Sequence, residues 1–345
     1  MIPSIAPVSR RFALSAQKRW DNLIKPQGSL GLLEEIVCDF CAIRETDRPF
    51  IARKRLIVFA ADHGIAAEGV SAYPREVTVQ MVRGFLGGNA AICVLARKIG
   101  IELEIVDMGI ADPVDHPSLR VMRAGYGTRN FLLSPAMTIE QTRYAIEAGI
   151  GFAVEAAKDH IDLLAGGDMG IGNTTAASAI FAALFDVDPA LVTGKGTGIS
   201  EEARVRKADL VRVALNKWRA PFADPLAVLR HYGGFEIAAL TGLYLGAASH
   251  RLPVIVDGFI CTAAAAVALS ISPACRDYLF FAHSSAENGY DIVKQKLGLK
   301  PILSLDLRLG EGTGAAMAMQ TIENAVALYN EMRTFQEAAV SPKIE

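Results

Sequence analysis

The chain has 345 residues, 51% hydrophobic and 21% charged, enough to bury a large core and to carry a second, smaller domain. A formal net charge of −2 leaves no basic face for nucleic acid and no polybasic patch for a membrane surface, so neither is expected as a partner. The uncharged apolar stretch from Phe259 to Cys275 is short and rich in Ala and Ser, and Met1 to Leu14 lacks a signal-peptide core, so the expected location is the cytoplasm.

In chain order, Phe12, Ala16, Trp20 and Leu23 recur at helical spacing, Lys25-Pro26-Gln27-Gly28-Ser29 breaks the pattern, and Leu30 to Arg44 resumes it. Six apolar runs then follow, each ending in an acid or histidine beside Gly or Ser: Leu56 to Ala61, Ile101 to Val106, Ile161 to Ala165, Pro253 to Val256, Tyr278 to Ala282 and Ile302 to Leu309. Near-continuous apolar runs of this length read as buried parallel strands. Helical patterns fall among them at Glu76 to Ala96, Ile139 to Lys158, Thr174 to Phe185, Glu201 to Trp218, Phe235 to His250, Ile260 to Ser270 and Ala286 to Lys296. The fold class is therefore α/β, with a mostly parallel, Rossmann-like sheet flanked by helices.

The last helix, Ala315 to about Gln336, has no strand after it and is free to pack with the first two. The expected organisation is a small helical domain of residues 1–48 plus 315–345 beside a large α/β domain of residues 49–314. Leu119 to Leu133 fits no element. Cys38 and Cys41 form a Cys-x-x-Cys, but they lie inside a helical pattern, where two small core residues are expected instead of a redox pair.

Glycines and polar groups at the carboxyl ends of parallel strands occupy the edge where open α/β sheets bind ligands. Glu311 sits in a strand-to-helix turn, Gly310-Glu311-Gly312-Thr313-Gly314, whose flanking glycines let a carboxylate point into a cleft. The alternative is a solvated turn glutamate. The run Gly167-Asp168-Met169-Gly170-Ile171-Gly172-Asn173-Thr174-Thr175 brings free N–H groups and hydroxyls to a helix start, as does Gly194-Lys195-Gly196-Thr197-Gly198 before the helix carrying Lys207. Such ends suit a phosphate dianion, though each is also an ordinary glycine turn. Neither matches a Walker A or dinucleotide fingerprint, which counts against a nicotinamide-dependent oxidoreductase. Asp62-His63 lacks clustered partners for a metal, and no metal or cofactor is expected. Tyr73, with Ser71 and Gln80, offers a flat aromatic wall with hydrogen-bonding ends, or else Tyr73-Pro74 simply starts a helix.

These residues resemble the nicotinate mononucleotide:dimethylbenzimidazole phosphoribosyltransferase family, which makes α-ribazole phosphate for the lower ligand of cobalamin. The resemblance rests on Lys25-Pro26-Gln27-Gly28-Ser29-Leu30-Gly31, Ala61-Asp62-His63-Gly64, Glu68 to Pro74, Val77 to Met81, Met169 to Thr175, Asp257-Gly258-Phe259 and Leu309 to Gly314, in that order. It implies Glu311 as general base, with Asp168 as a possible stabiliser of developing positive charge. Ser71, Tyr73 and Gln80 would line the acceptor pocket. Gly170, Gly172, Asn173, Thr174, Gly196, Gly198, Lys207, Ser285 and Gly312 would bind the nucleotide. It also implies a homodimer. Asp168 stands where relatives usually have Glu, Gly84, Asn89 and Cys93 where Asn, Gly and Asn are common, and Tyr290 where His is usual. Two other readings stay open: the same chemistry on a purine, another benzimidazole or a phenol, and a non-catalytic nucleotide-binding paralogue.

Overall fold

The computed structural model describes residues 2–218 and 224–341; residue 1 and residues 342–345 of the expected helical domain lie outside them. Six strands form one parallel sheet: β1 Lys54–Ala61, β2 Ile101–Gly109, β3 Leu119–Val121, β4 Leu163–Met169, β5 Val254–Val256 and β6 Leu279–Phe281, in the spatial order β3-β2-β1-β4-β5-β6. That order reverses direction between β1 and β4, and such a switch point opens a crevice at the carboxyl edge. The helices are α1 Arg10–Asn22, α2 Leu32–Arg44, α3 Val77–Leu86, α4 Ala91–Ile99, α5 Ile139–Lys158, α6 Asn173–Phe185, α7 Pro189–Val192, α8 Glu201–Trp218, α9 Pro225–Tyr232, α10 Phe235–Ser249, α11 Phe259–Ile271, α12 Tyr290–Leu297 and α13 Thr313–Glu331.

Strand β1 is buried along its whole length because helices cover both faces of the sheet at its centre. Helix α10 is buried from Phe235 to Ala248, pressed between the sheet and α5, and its uniformly apolar sequence follows from that position. Side chains alternate between faces along a strand, so the pair Gly166-Gly167 in β4 leaves a gap on each side. A Cβ on Gly167 would stand 2.8 Å from the carbonyl carbon of Glu311, so the turn before α13 rests directly on the sheet.

Two apolar clusters are present. The large one surrounds the sheet and includes Ala315, Ala316, Ala318, Met319 and Ile322 of α13. The small one joins Ala16, Trp20 and Leu23 of the first helix and its end, Val37, Cys38 and Cys41 of α2, and Ala325, Val326 and Tyr329 of α13. Helix α13 thus serves both clusters, changing allegiance between Ile322 and Ala325. Burial pushes the Cys38 and Cys41 thiols up to about 12, as befits core residues.

Several elements differ from the sequence expectation. The run Ile302 to Leu309 is not a strand: it makes one parallel bridge, Leu303 to His283, and then departs. Asp306 takes φ 53°, which interrupts extended backbone, and Leu305 and Leu309 are 47% and 58% exposed. The sixth strand is instead β3, a short edge strand from the segment that fitted no element. The stretch Val77–Ile99 has the length and apolarity to cross a membrane, but a break at Gly87-Gly88-Asn89 divides it into α3 and α4. Helix α9 begins with Pro225 and is capped by Asp224, whose carboxylate accepts from the Leu226 and Ala227 N–H groups at 3.0 and 3.2 Å.

Candidate active site

At the carboxyl edge a cleft of about 630 Å³, open to solvent, is lined by Asp168, Met169, Gly170, Asn173, Thr174, Gly196, Gly258 to Ile260, His283, Ser285, Glu287 and Arg308 to Gly310. The N-terminal residues of α6 and α11 form part of its wall, so the positive ends of two helix dipoles face the same space. That suits an anion.

Lys207 lies just behind this wall. The helix α8 backbone carries it, 1% exposed, beneath Thr174 and the second glycine loop, where its Nζ donates to Thr174 Oγ1 at 2.8 Å and to Gly194 O at 3.4 Å. Burial pulls its ammonium down to about 8, against the opposing charge of Glu287. Glu287 itself accepts from the Gly196 N–H at 2.8 Å, and Arg308 donates to the Gly196 carbonyl at 3.3 Å, so the loop is held from two sides. Among the residues expected to bind nucleotide, Gly170, Asn173, Thr174, Gly196 and Ser285 line the cleft. Gly172 is the N-cap of α6 with φ 99°, Gly198 has φ 98°, and Gly312 is the N-cap of α13. These three, like Lys207, shape the lining from outside it. Sequence reading gave no site role to Glu287, Arg308, His283 or the start of α11, although Asp257-Gly258-Phe259 was among the matching stretches and the run ending at Ala282 among the strand ends.

Asp168 ends β4 on the wall of the cleft and is buried. Its Oδ2 accepts from Asn173 Nδ2 at 2.9 Å and its Oδ1 from the Cys261 thiol at 3.4 Å. Burial, then the neighbouring charges of Asp257 and Glu236, push its carboxyl up to about 7.

Glu311 is also buried, 5% exposed, with φ 63° between Gly310 at 84° and Gly312 at 82°. A non-glycine residue held there costs on the order of 1–3 kcal/mol, which the surroundings must offset. Its N–H donates to the Asp168 carbonyl at 3.2 Å, and among the described residues its Oε2 has no hydrogen-bond partner. Burial raises its pKa, and the Ile92 N–H at the start of α4 offsets part of that rise. The break that divides α3 from α4 therefore places a second helix start beside this carboxylate, in addition to that of α13.

Ser71, Tyr73 and Gln80 do not line the cleft. Ser71 Oγ pairs with Thr197 Oγ1 at 3.0 Å, joining its loop to the second glycine loop, while Tyr73 is 55% exposed and Gln80 is exposed on α3. Helix α3 is pinned to the first glycine loop, since Thr78 Oγ1 accepts from the Ile171 N–H at 3.1 Å. Residues after β3 wrap the segment that follows β1: Thr128 N–H donates to Asp62 O at 2.9 Å and Asn130 Nδ2 to Glu68 Oε1 at 2.7 Å.

Asp62 and His63 serve separate partners. Asp62 Oδ2 accepts from the Ala111 N–H at 2.8 Å, and His63 Nε2 meets Glu236 Oε1 at 2.6 Å in full burial. Burial lowers the imidazole pKa, but the charge and hydrogen bond of Glu236 outweigh it and the net shift is upward. The described groups with ligand spacing are Asp168, Asp257 and Cys261, all buried and with donor atoms within 4.8 Å. They fit a cation poorly. The thiol is a donor to Asp168, and Asp257 faces backbone N–H groups of residues 258, 312, 314 and 315.

A parallel α/β sheet with a helix-start anion cradle and a buried carboxylate at its carboxyl edge has the architecture in which open α/β sheets bind ligands. A family model described as phosphoribosyltransferase matches residues 5–340, and the chain belongs to that family. It is 52% identical over 344 residues to the nicotinate-nucleotide--dimethylbenzimidazole phosphoribosyltransferase of Chlorobaculum tepidum, covering 99% of this chain and 98% of the relative. The protein of the same name from Geobacter sulfurreducens is 48% identical over 341 residues, covering 99% and 97%. A crystal structure of CobT from Thermus thermophilus superposes with a TM-score of 0.92 at 44% identity, covering 96% of this chain and all of that one.

Proposed function

We propose that this phosphoribosyltransferase moves the 5-phosphoribosyl group from nicotinate mononucleotide to 5,6-dimethylbenzimidazole or a related base, with inversion at C1′, releasing nicotinate and forming α-ribazole 5′-phosphate. The observation that carries the reading is the buried carboxylate of Glu311, its Oε2 without a partner among the described residues, on the same sheet edge as the helix-start cradle backed by Lys207. The leaving pyridinium is already cationic, so it departs as neutral nicotinate ring nitrogen without an acid. The acceptor nitrogen enters from the opposite face of the ribose in one displacement. As it bonds to C1′, the proton on the second ring nitrogen becomes acidic and passes to Glu311. Such general-base help is worth about 10²- to 10⁴-fold in rate.

The 5′-phosphate belongs at the α6 start, over Thr174 and Gly196, with Lys207 beneath and Ser285 beside it. Asp168 faces the ribose as the group that stabilises the oxocarbenium-like charge. With a pKa near 7 it is partly protonated in the free enzyme, and a cationic donor draws it towards carboxylate. Ser71, Tyr73 and Gln80 form the acceptor side, the exposed Tyr73 and Gln80 closing on the planar base when it binds. We further infer a small helical subdomain from α1, α2 and the end of α13, and assembly as a homodimer, which light scattering would test.

The deciding experiment supplies nicotinate mononucleotide and a panel of benzimidazoles, purines and phenols and reads products by mass spectrometry. Formation of α-ribazole phosphate with release of nicotinate is expected. No transfer to any benzimidazole would overturn the reading.

A further inference from the structure

We infer that Asp257 is a positioning residue for the reaction: its carboxylate, reaching across from the end of β5, holds the start of α13 and with it the strained turn that presents Glu311. The inference rests on Glu311 being the base.

Asp257 is fully buried and follows directly on β5. Helix α13 begins at Thr313 after Gly312, so it has no capping side chain of its own. Asp257 supplies the missing acceptor, its Oδ1 taking the Ala315 N–H at 2.7 Å, the distance of a strong charge-assisted bond. A helix start normally takes its cap from the residue just before it; here the cap arrives from a strand 58 positions away in the chain. Nothing with a larger backbone footprint fits the contact, since a Cβ on Gly314 would lie 2.9 Å from Asp257 Oδ1 and 2.1 Å from His283 Cδ2.

Three consecutive residues, Gly310, Glu311 and Gly312, have positive φ, and the bonds within the turn are few. Thr313 closes it by donating from N–H and Oγ1 to the Gly310 carbonyl at 3.1 and 2.8 Å, and Glu311 N–H reaches Asp168 O. Anchors outside the turn include β4, through the Asp168 carbonyl, and β5, through Asp257, beside the Ile92 N–H that reaches the Glu311 carboxylate. The other oxygen, Asp257 Oδ2, is buried with no hydrogen-bond partner among the described residues, and the side chain groups with Asp168 and Cys261, donor atoms of the three lying within 4.8 Å of one another. Asp257 therefore holds the start of α13 while lying beside Asp168, whose backbone carbonyl takes the Glu311 N–H.

The test is a mutant cycle between Asp257 and Glu311, with kcat, the Kd for nicotinate mononucleotide and Tm measured for each protein. Asp257→Asn keeps the shape and an acceptor oxygen but removes the charge, and should lower kcat by about three- to tenfold; Asp257→Ala should lower it by about tenfold or more. Nucleotide Kd should stay within about threefold in both. Combined with Glu311→Gln, neither Asp257 substitution should reduce the residual rate further, because a positioning residue has nothing left to position. If the alanine variant does not fold, the asparagine cycle decides alone. Unchanged kcat in Asp257→Asn, or losses that multiply with that of Glu311→Gln, would overturn the inference while leaving the base in place. Wild-type turnover in Glu311→Gln would remove the base reading itself, and the inference with it.

Discussion

The turns at 170–175 and 310–314 both lead into a buried helix, yet they are built in opposite ways. In the first, the left-handed residue is a glycine, Gly172, and the polar side chains are paired nearby: Asn173 with Asp168, Thr174 with Lys207. In the second, a glutamate itself takes the left-handed conformation, one of its carboxylate oxygens has no partner among the described residues, and the cap comes from the end of another strand. A cradle that only binds can be made from relaxed backbone. A reactive carboxylate must be kept desolvated and unsatisfied, and that requires support from elsewhere in the fold.

The sharpest way to break the comparison is to neutralise the strained turn. Glu311→Gln should fold and bind nucleotide but lose about 10²- to 10⁴-fold in kcat; a near-wild-type rate would show that the carboxylate takes no proton. Because burial raises the Glu311 pKa, the acid limb of kcat should fall above the ordinary carboxylate range, activity declining as the pH drops and the base is protonated. A profile flat down to ordinary carboxylate values would contradict this.

The cradle should fail in a different parameter. Lys207→Met should raise the KM for nicotinate mononucleotide by about 10- to 100-fold, the value of one charge-assisted hydrogen bond, with a smaller change in kcat. Its pKa of about 8 implies that the charge is present below that value and lost above it, so KM for the nucleotide should rise on the alkaline side in the wild type. The riboside lacking phosphate should show no such rise. A smaller effect is expected on the acceptor side, where Gln80→Ala or Tyr73→Ala should raise the KM for the base by up to about tenfold and leave that for the nucleotide alone. Weakening of the nucleotide only would move the acceptor pocket elsewhere.

The smallest effect concerns stability. Asp168 has a folded pKa of about 7 against an ordinary value of 3.8, so the folded state holds a proton that the unfolded state has released. The contribution is present below the unfolded value and is lost as the pH rises through 7. The ligand-free enzyme should therefore gain in Tm on moving from neutral pH towards pH 5 relative to Asp168→Asn, in which this term is absent. Parallel pH profiles for the two proteins would refute it.

Most of the sheet was legible because buried parallel strands need uninterrupted apolar runs, and those runs stand out whatever surrounds them. β3 was not, since three residues at a sheet edge carry too little pattern. The false strand at Ile302 to Leu309 had the right alternation and the wrong surroundings, with Leu305 and Leu309 left exposed and Asp306 in the left-handed region. Helix α4 was hidden for a related reason: apolar periodicity runs through Gly87-Gly88, and only the packed structure shows that the chain stops there and places a new helix start by Glu311.

By itself, the sequence determined the fold class, the two glycine-rich helix starts and the carboxylate between glycines, because each is a local pattern with a local physical cause. Tertiary structure decided which of these groups meet. The contacts of Asp257 with Ala315, Lys207 with Thr174, Ser71 with Thr197 and His63 with Glu236 join residues far apart in the chain. Such contacts follow from the order of strands in the sheet, and no spacing in the chain records that order.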